Sequence, residues 1–315
     1  MLLVSNEKRT FCSSDHRTCL GLPWITALPM TRFPDDPMTR FFRSPDHPTC
    51  PGLPWITRSP DLTLCLRLGC AAFLAVCLLC GPARASDSDY QQGIKALESN
   101  DYPNALHYLE SAITGDPDNL RYASDYRQAA IKSKDFDRAV SFFEKLVVAK
   151  PQSANIHLNF GFAYVDKVPV AGSITQVILA NKALNEFSKA VELQPNWIGY
   201  YTRGMSYLFW PKVFNRAPMG VADLEKAMKL QSAEPRKPYH VKAYLALGDG
   251  YWKTDQLEKA RAVWQEGLKQ FPDNQQLKTR LERKGEELEK TIEANFDPNK
   301  RVDTDLRELW TSSQN

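Results

Sequence analysis

Hydrophobic and polar positions between residues 86 and 295 follow a helical period, and the pattern returns after 34 residues. Two sets of four residues show this repeat: Ala105, Leu109, Ala112 and Pro117, and then Ala139, Phe143, Leu146 and Pro151. Apolar residues three or four positions apart lie on one face of an α-helix. A repeat of this length is typical of stacked helical pairs, because a single pair cannot bury its own apolar face. The pattern therefore predicts an all-α chain of stacked units.

The most complete unit spans residues 244–272. It begins with Tyr244-x-x-Leu247-Gly248-x-x-Tyr251 and continues with Ala260, Trp264, Gly267 and Pro272. Small residues let two antiparallel helices approach closely, large apolar residues fill the space between them, and proline ends the second helix. These residues resemble the signature of the tetratricopeptide repeat (TPR) family. The resemblance implies a right-handed TPR solenoid of about five helix-turn-helix units plus a C-terminal capping helix, together covering residues 86–295.

Two units depart from the regular spacing. The third has about ten extra residues at 166–176, and the fourth has about four extra residues at 210–218. Both stretches contain proline, which breaks helices, so we expect enlarged turns. Enlarged turns in repeat arrays either add binding surface or are neutral insertions, and the sequence leaves both interpretations open.

The capping helix is predicted over residues 275–295. Its apolar face is formed by four residues: Leu277, Leu281, Leu288 and Ile292. A solenoid needs a terminal helix with a polar outer side, and a cap fits better than a coiled-coil arm because the stripe covers less than three heptads. The C-terminal tail at 296–315 carries Leu306, Leu309 and Trp310 and is expected to be either docked or disordered.

The TPR resemblance also implies that the first helix of each unit lines a concave groove in which a protein partner binds. By register, the partner-binding residues are predicted to be Arg121, Gln128, Phe162, Tyr201, Met205, Phe209, Asp249 and Trp252. The same register includes Tyr90, Ile94, Leu158 and Leu245. Aromatic residues are common anchors of protein interfaces, so this groove is suited to a peptide or a helix. The alternative is that some of these residues belong to the buried core.

The charge balance and the positions of cysteine and histidine exclude several kinds of binding and catalysis. The first 85 residues hold 9 basic and 6 acidic side chains, which leaves 31 of each sign in residues 86–315. A neutral array offers little charge to a phosphate backbone, so nucleic-acid binding is not expected. All seven cysteines precede residue 86, and the three later histidines, His107, His157 and His240, form no recognised metal or catalytic motif. We therefore expect no metal, no cofactor and no intrinsic catalysis.

Residues 62–85 have the layout of a secretory signal peptide, with Arg67 before the apolar run at 68–80 and Ala85 as the cleavage position. At 1.5 Å per residue, this run covers about 20 Å of a bilayer core of about 30 Å, so a stable transmembrane helix is the weaker interpretation. We predict cleavage after Ala85 and a periplasmic or secreted protein, with a membrane anchor as the alternative if the segment is uncleaved.

Residues 1–61 contain one segment twice, at 15–26 and at 46–57 with two changes, and show no helical or strand period. We interpret this stretch as a spurious or disordered upstream extension. The alternative is a short proline-rich functional repeat.

Two functions follow from these observations. The first is an exported TPR scaffold that binds a protein or peptide partner in its groove without catalysing a reaction. The alternative is a small-molecule or cofactor-binding accessory protein in which the enlarged turns at 166–176 and 210–218 close a pocket.

Overall fold

The computed structural model describes residues 82–311, with side chains from residue 86 onward. All described residues belong to one unit of the chain. The predicted upstream extension at 1–61 and most of the predicted signal peptide at 62–85 lie outside the described residues. The expected cleavage position after Ala85 falls in the first described helix, which begins at Pro82, and cleavage stays a prediction.

Regular structure within residues 82–311 is entirely helical, which confirms the predicted all-α solenoid. Five consecutive pairs of packed helices make up most of it: α1 (Pro82–Glu98) with α2 (Tyr102–Gly115), α3 (Leu120–Ser133) with α4 (Phe136–Ala149), α5 (Ala154–Lys167) with α6 (Ser173–Leu193), α7 (Trp197–Leu208) with α8 (Ala217–Ser232), and α9 (Val241–Lys253) with α10 (Leu257–Gln270). Three short helices follow: α11 (Gln275–Glu282), α12 (Gly285–Glu293) and α13 (Glu308–Thr311).

Local sequence signals set where these helices begin. Six of them start after a side chain that accepts a hydrogen bond from the backbone amide three residues later: Asp101, Asn119, Asp135, Ser153, Asn196 and Asn274. Such caps satisfy amides that the first helical turn leaves unpaired. Four of the turns inside pairs contain a left-handed residue two positions before the second helix begins, at Asn100, Lys134, Asn215 and Asp255.

Glycines on the first helix of a pair allow the second helix to pack closely. A Cβ atom at Gly161 of α5 would lie 2.4 Å from the ring of Phe187 of α6. A Cβ atom at Gly248 of α9 would lie 2.1 Å from Nε1 of Trp264 of α10. Phe187 and Trp264 are fully buried, so the sequence interpretation of small residues facing large ones holds in both pairs.

The buried apolar residues form two clusters. The first joins α1 to α6 and includes Phe143 and Phe187, and the second joins α7 to α12 and includes Leu224 and Trp264. Leu306, near the C terminus, is 5% exposed and belongs to the first cluster, although the cap helices before it in the chain belong to the second. The end of the chain therefore returns to the early repeats.

The enlarged turns differ from each other. The prediction for the third unit is too wide, because residues 166–167 end α5 and α6 begins at Ser173. Neither glycine nor proline, the residues that interrupt helices, occurs between Ser173 and Leu193. Most of the extra residues therefore lengthen α6. In the fourth unit, Phe209 to Arg216 separate α7 from α8 and include a single 3₁₀ turn, close to the predicted 210–218.

The predicted capping helix is present but divided into α11 and α12. Gly285 opens α12 with a φ of 52°, a conformation that glycine adopts without a steric penalty. Leu277, Leu288 and Ile292 are nevertheless all buried in the second cluster. Both short helices therefore cover the end of the solenoid.

Two further findings concern the described residues alone. None of their helices has the length and hydropathy that a membrane span requires. No group of three or more His, Cys, Asp or Glu side chains among them is arranged to hold a metal ion.

Candidate binding groove

The register predicts a groove along the first helices α3, α5, α7 and α9, and in the structure a polypeptide contacts several of these helices. That polypeptide is the tail segment, residues 296–311 of the chain itself. The ring of Phe296 packs against Phe209, the residue directly after α7, at 5.3 Å between centroids. The backbone amide of Leu306 donates to Oγ of Ser124 on α3 at 3.4 Å, and Glu308 pairs with Lys242 on α9. The tail segment thus contacts α3, the residue that follows α7, and α9.

A buried polar cluster holds the middle of the tail segment. Arg127 of α3 is 1% exposed and donates to Asn159 at 3.0 Å, to Asp166 at 3.0 Å and to the backbone carbonyl of Thr304 at 2.9 Å. The hydroxyl of Thr304 donates to the other carboxylate oxygen of Asp166 at 2.5 Å. The guanidinium also lies 4.7 Å from the ring centroid of Phe162. We name Arg127, Asn159, Asp166 and Thr304 the tail anchor.

Charge in the tail anchor is balanced. Burial raises the pKa of Asp166, and the cation of Arg127 together with the Thr304 hydroxyl opposes this shift. Removing one partner from a buried ion pair leaves an uncompensated charge, which costs several kcal/mol. The anchor therefore fixes the backbone of the tail segment to α3 and α5 at one register.

A second polar group lies at the α1 end of the groove. The hydroxyl of Tyr90 donates to Asp125 at 2.6 Å, and the rings of Tyr90 and Tyr122 stack with centroids 4.5 Å apart. Burial raises the pKa of Asp125, while the hydrogen bond from Tyr90 and the positive charges of Arg121 and Arg307 oppose this shift. This end of the groove accordingly faces the tail segment with a partly desolvated carboxylate.

A cavity of about 500 Å³ lies between the tail segment and the helices of the third and fourth units. Its wall is mainly apolar and includes Phe162, Tyr201 and Phe209. Both enlarged turns contribute to it, the first through Val168 and Pro169 and the second through Trp210, Pro211 and Phe214. The tail segment closes one side with Phe296, Val302, Thr304 and Leu306. The cavity thus joins the groove to both inserted stretches.

The structure brings half of the predicted groove residues together. Four of them line the cavity: Phe162, Tyr201, Met205 and Phe209. Arg121 and Gln128 lie on α3, where the Arg121 side chain is 55% exposed and Gln128 is half-buried. Trp252 is half-buried, with Nζ of Lys212 6.0 Å from its ring centroid.

Asp249, another of the predicted groove residues, forms a buried ion pair with Arg280. Its carboxylate accepts two hydrogen bonds from Arg280 of α11, at 2.6 and 2.7 Å, and both side chains are buried. Burial raises the pKa of Asp249 and the hydrogen bonds from Arg280 oppose this. The pair joins α9 to the first cap helix. A role for any of the eight predicted residues in partner binding stays a prediction.

Sequence reasoning missed the tail anchor. Arg127, Asn159 and Asp166 are ordinary polar residues of amphipathic helices in the sequence, and no local signal marks them as buried. The one available signal was the apolar content of the tail at Leu306, Leu309 and Trp310, which is why docking was one of its two expected states.

A protein-family model identifies the type of repeat in part of the chain. Residues 96–158, from the end of α1 to the start of α5, match the tetratricopeptide repeat family model. No curated protein matches the chain.

Several solved structures are similar to it. A thermophilic TPR protein from Thermus thermophilus is 20% identical, covers 62% of this chain and 97% of its own, and has a TM-score of 0.45. A tetratricopeptide repeat protein from Parabacteroides merdae is 14% identical, with coverages of 74% and 81% and a TM-score of 0.46. The MamA protein from Desulfovibrio magneticus is 17% identical, with coverages of 61% and 97% and a TM-score of 0.42.

Proposed function

Since the chain is a tetratricopeptide-repeat protein, we propose that it is an exported scaffold that binds an extended segment of a protein partner along its groove and catalyses no reaction. Solenoids of stacked repeats present extended surfaces that are commonly used for protein interaction. The neutral balance of charges in residues 86–315 favours a polypeptide over a nucleic acid as the partner.

The observation that carries this proposal is the tail segment on the groove. Arg127 donates to a backbone carbonyl, a contact that any residue type in a bound segment could provide. Asp166 accepts a hydrogen bond from the hydroxyl of Thr304. The apolar side chain two residues after Thr304, Leu306, is 5% exposed. The groove therefore has the hydrogen-bond partners and the apolar site that an extended polypeptide needs.

These contacts also suggest what the partner presents. A threonine or serine would reach Asp166, and a leucine two positions further on would fill the site of Leu306. The partner segment would compete with the tail segment, because both would use Arg127 and Asp166. Partner binding thus includes displacement of residues of the chain itself.

A labelled peptide with the sequence of residues 299–311 tests this proposal. We expect it to bind the full chain carrying Thr304→Val and Leu306→Ala, which weaken the chain's own tail, more tightly than it binds the unchanged chain. Fluorescence anisotropy measures both affinities. The matched control is a peptide that carries the same two substitutions and is expected to bind weakly. Equal binding of the two peptides would refute recognition through the tail anchor.

Export is the second part of the proposal. The apolar run at 68–80 and the small residues up to Ala85 support cleavage before Ser86, with a periplasmic or secreted protein as the product. Mass spectrometry of the protein from cell fractions would test this by giving its N-terminal residue. An N terminus at Ser86 in the exported fraction is expected, and an uncleaved chain in the membrane fraction would favour the anchored form.

The alternative function, binding of a small molecule, is favoured by one observation. The cavity wall includes residues of both enlarged turns.

A further inference from the structure

The cavity between the tail segment and the third and fourth units has the size and lining of a small-molecule site. Its volume of about 500 Å³ lies within the range of about 300–1,000 Å³ found for ligand pockets. Trp197 and Tyr201 stack in parallel with centroids 4.9 Å apart at its wall, and Phe209 and Phe296 meet edge to face. Flat aromatic surfaces and aliphatic side chains favour an apolar body.

One polar atom at this wall lacks a hydrogen-bond partner. Thr202 is 4% exposed and lines the cavity, and its hydroxyl is one of two buried side-chain polar atoms without a partner among the described residues. A buried hydroxyl without a partner is costly, and most such groups in proteins are paired. This oxygen is closed off from the cavity by its neighbours, so rotation about χ1 of Thr202 is what would bring it to an oxygen of a ligand, to which it can donate or from which it can accept.

The seven charged residues of the wall are nearly balanced in sign, with Lys242, Lys253 and Lys300 set against Glu293, Asp303, Asp305 and Glu308. Lys242 pairs with Glu308, and Nζ of Lys253 donates to the backbone carbonyl of Leu208 at 2.6 Å. Asp305 pairs with Arg307. Burial of an ionic ligand would therefore lack the opposite charge that would offset its desolvation, and a neutral ligand is favoured.

We infer that this cavity binds a neutral amphiphile, a molecule with an aliphatic or aromatic body and one hydrogen-bonding oxygen, and that the Thr202 hydroxyl turns toward the cavity to contact that oxygen. Water fills such a space poorly, because apolar walls give it too few hydrogen-bond partners. The inference goes beyond the peptide-binding proposal and does not depend on it, since the ligand lies beneath the tail segment.

Three probes of equal chain length test the ligand class: 1-decanol, decanoate and decyltrimethylammonium. We expect 1-decanol to bind the full chain at one site and to raise its melting temperature, with both ions binding at least about tenfold more weakly. Isothermal titration calorimetry measures the affinities and the stoichiometry. Absence of 1-decanol binding, or equal binding of either ion, would overturn the inference.

Two substitutions locate the site. Ala180 of α6 lines the cavity, and Ala180→Phe is expected to fill it and remove 1-decanol binding. Ile174→Phe is the matched control, because Ile174 lies on the same helix and is 81% exposed. Calorimetric unfolding of both variants establishes that they fold. Unchanged binding to Ala180→Phe would overturn the location.

Thr202→Val tests the polar contact without enlarging or filling the cavity. Because the hydroxyl has no partner in the protein, this variant is expected to fold with unchanged or slightly higher stability. Its affinity for 1-decanol is expected to fall about threefold to tenfold, the effect of one ordinary hydrogen bond. Unchanged affinity would remove Thr202 from the site. These measurements use no peptide, so their failure is distinguishable from failure of peptide binding.

Discussion

Thr304→Val is expected to release the tail segment while leaving the solenoid folded. Thr304 is 3% exposed, and its hydroxyl donates to the carboxylate of Asp166 at 2.5 Å. Valine keeps the shape of threonine but removes the donor. A hydrogen bond to a charged group contributes about 1.5–3 kcal/mol. Since about 1.4 kcal/mol changes an equilibrium tenfold, the undocked population should rise by about one to two orders of magnitude.

Hydrogen exchange followed by mass spectrometry measures this change directly. The amide of Leu306 is protected through its bond to Ser124, and its exchange rate reports how often the tail segment undocks. Thr311→Val is the matched control, because Thr311 is exposed and its hydroxyl bonds only locally, to the carbonyl of Arg307. Faster exchange at Leu306 is expected for Thr304→Val alone. Equal exchange in both variants would show that the anchor does not hold the tail segment.

Two further predictions concern the solenoid. Gly248→Ala should destabilise the protein by about 1–3 kcal/mol in urea unfolding, because its Cβ would overlap Trp264, whereas Gly172→Ala has open space and should have a smaller effect. Nδ1 of His157 lies 2.6 Å from Oε2 of Glu186. This hydrogen bond raises the pKa of His157, and the effect is larger than the opposite effect of burial. The pair therefore adds stability below the unfolded pKa of about 6.5, and this stability is lost as pH rises through the raised pKa. The stability difference between the unchanged chain and Glu186→Gln, measured across this range, should shrink with increasing pH.

Periodicity predicted the elements that depend on local sequence. The 34-residue spacing gave five helical pairs, because each position in the repeat has the same neighbours in every unit. It also predicted that Phe162, Tyr201, Met205 and Phe209 share one surface, since residues at the same register of successive first helices lie side by side. These four residues do line one cavity.

The repeat pattern could not predict contacts between the repeat helices and the tail segment, because the tail segment lies outside the repeats. Arg127 and Thr304 are separated by 177 residues, and Asp166 and Thr304 by 138, so no local spacing relates them. The tail segment has no helical period before Glu308, and its position depends on polar side chains that look solvated in the sequence. The division of the cap at Gly285 was missed for a related reason, because one residue with positive φ interrupts an otherwise continuous apolar stripe.

The tail segment connects the two proposed binding events. It occupies the groove through Thr304, and the same residue, with Phe296 and Leu306, forms one wall of the cavity. A ligand in the cavity would therefore bind the docked state more tightly than the undocked state and shift the tail segment toward docking. Saturating 1-decanol should slow exchange at the Leu306 amide. The 299–311 peptide supplies the same Val302, Thr304 and Leu306 side chains when it replaces the tail segment, so its complex keeps most of the cavity wall. Exchange that stays unchanged with 1-decanol bound would show that the tail segment is not part of the ligand site.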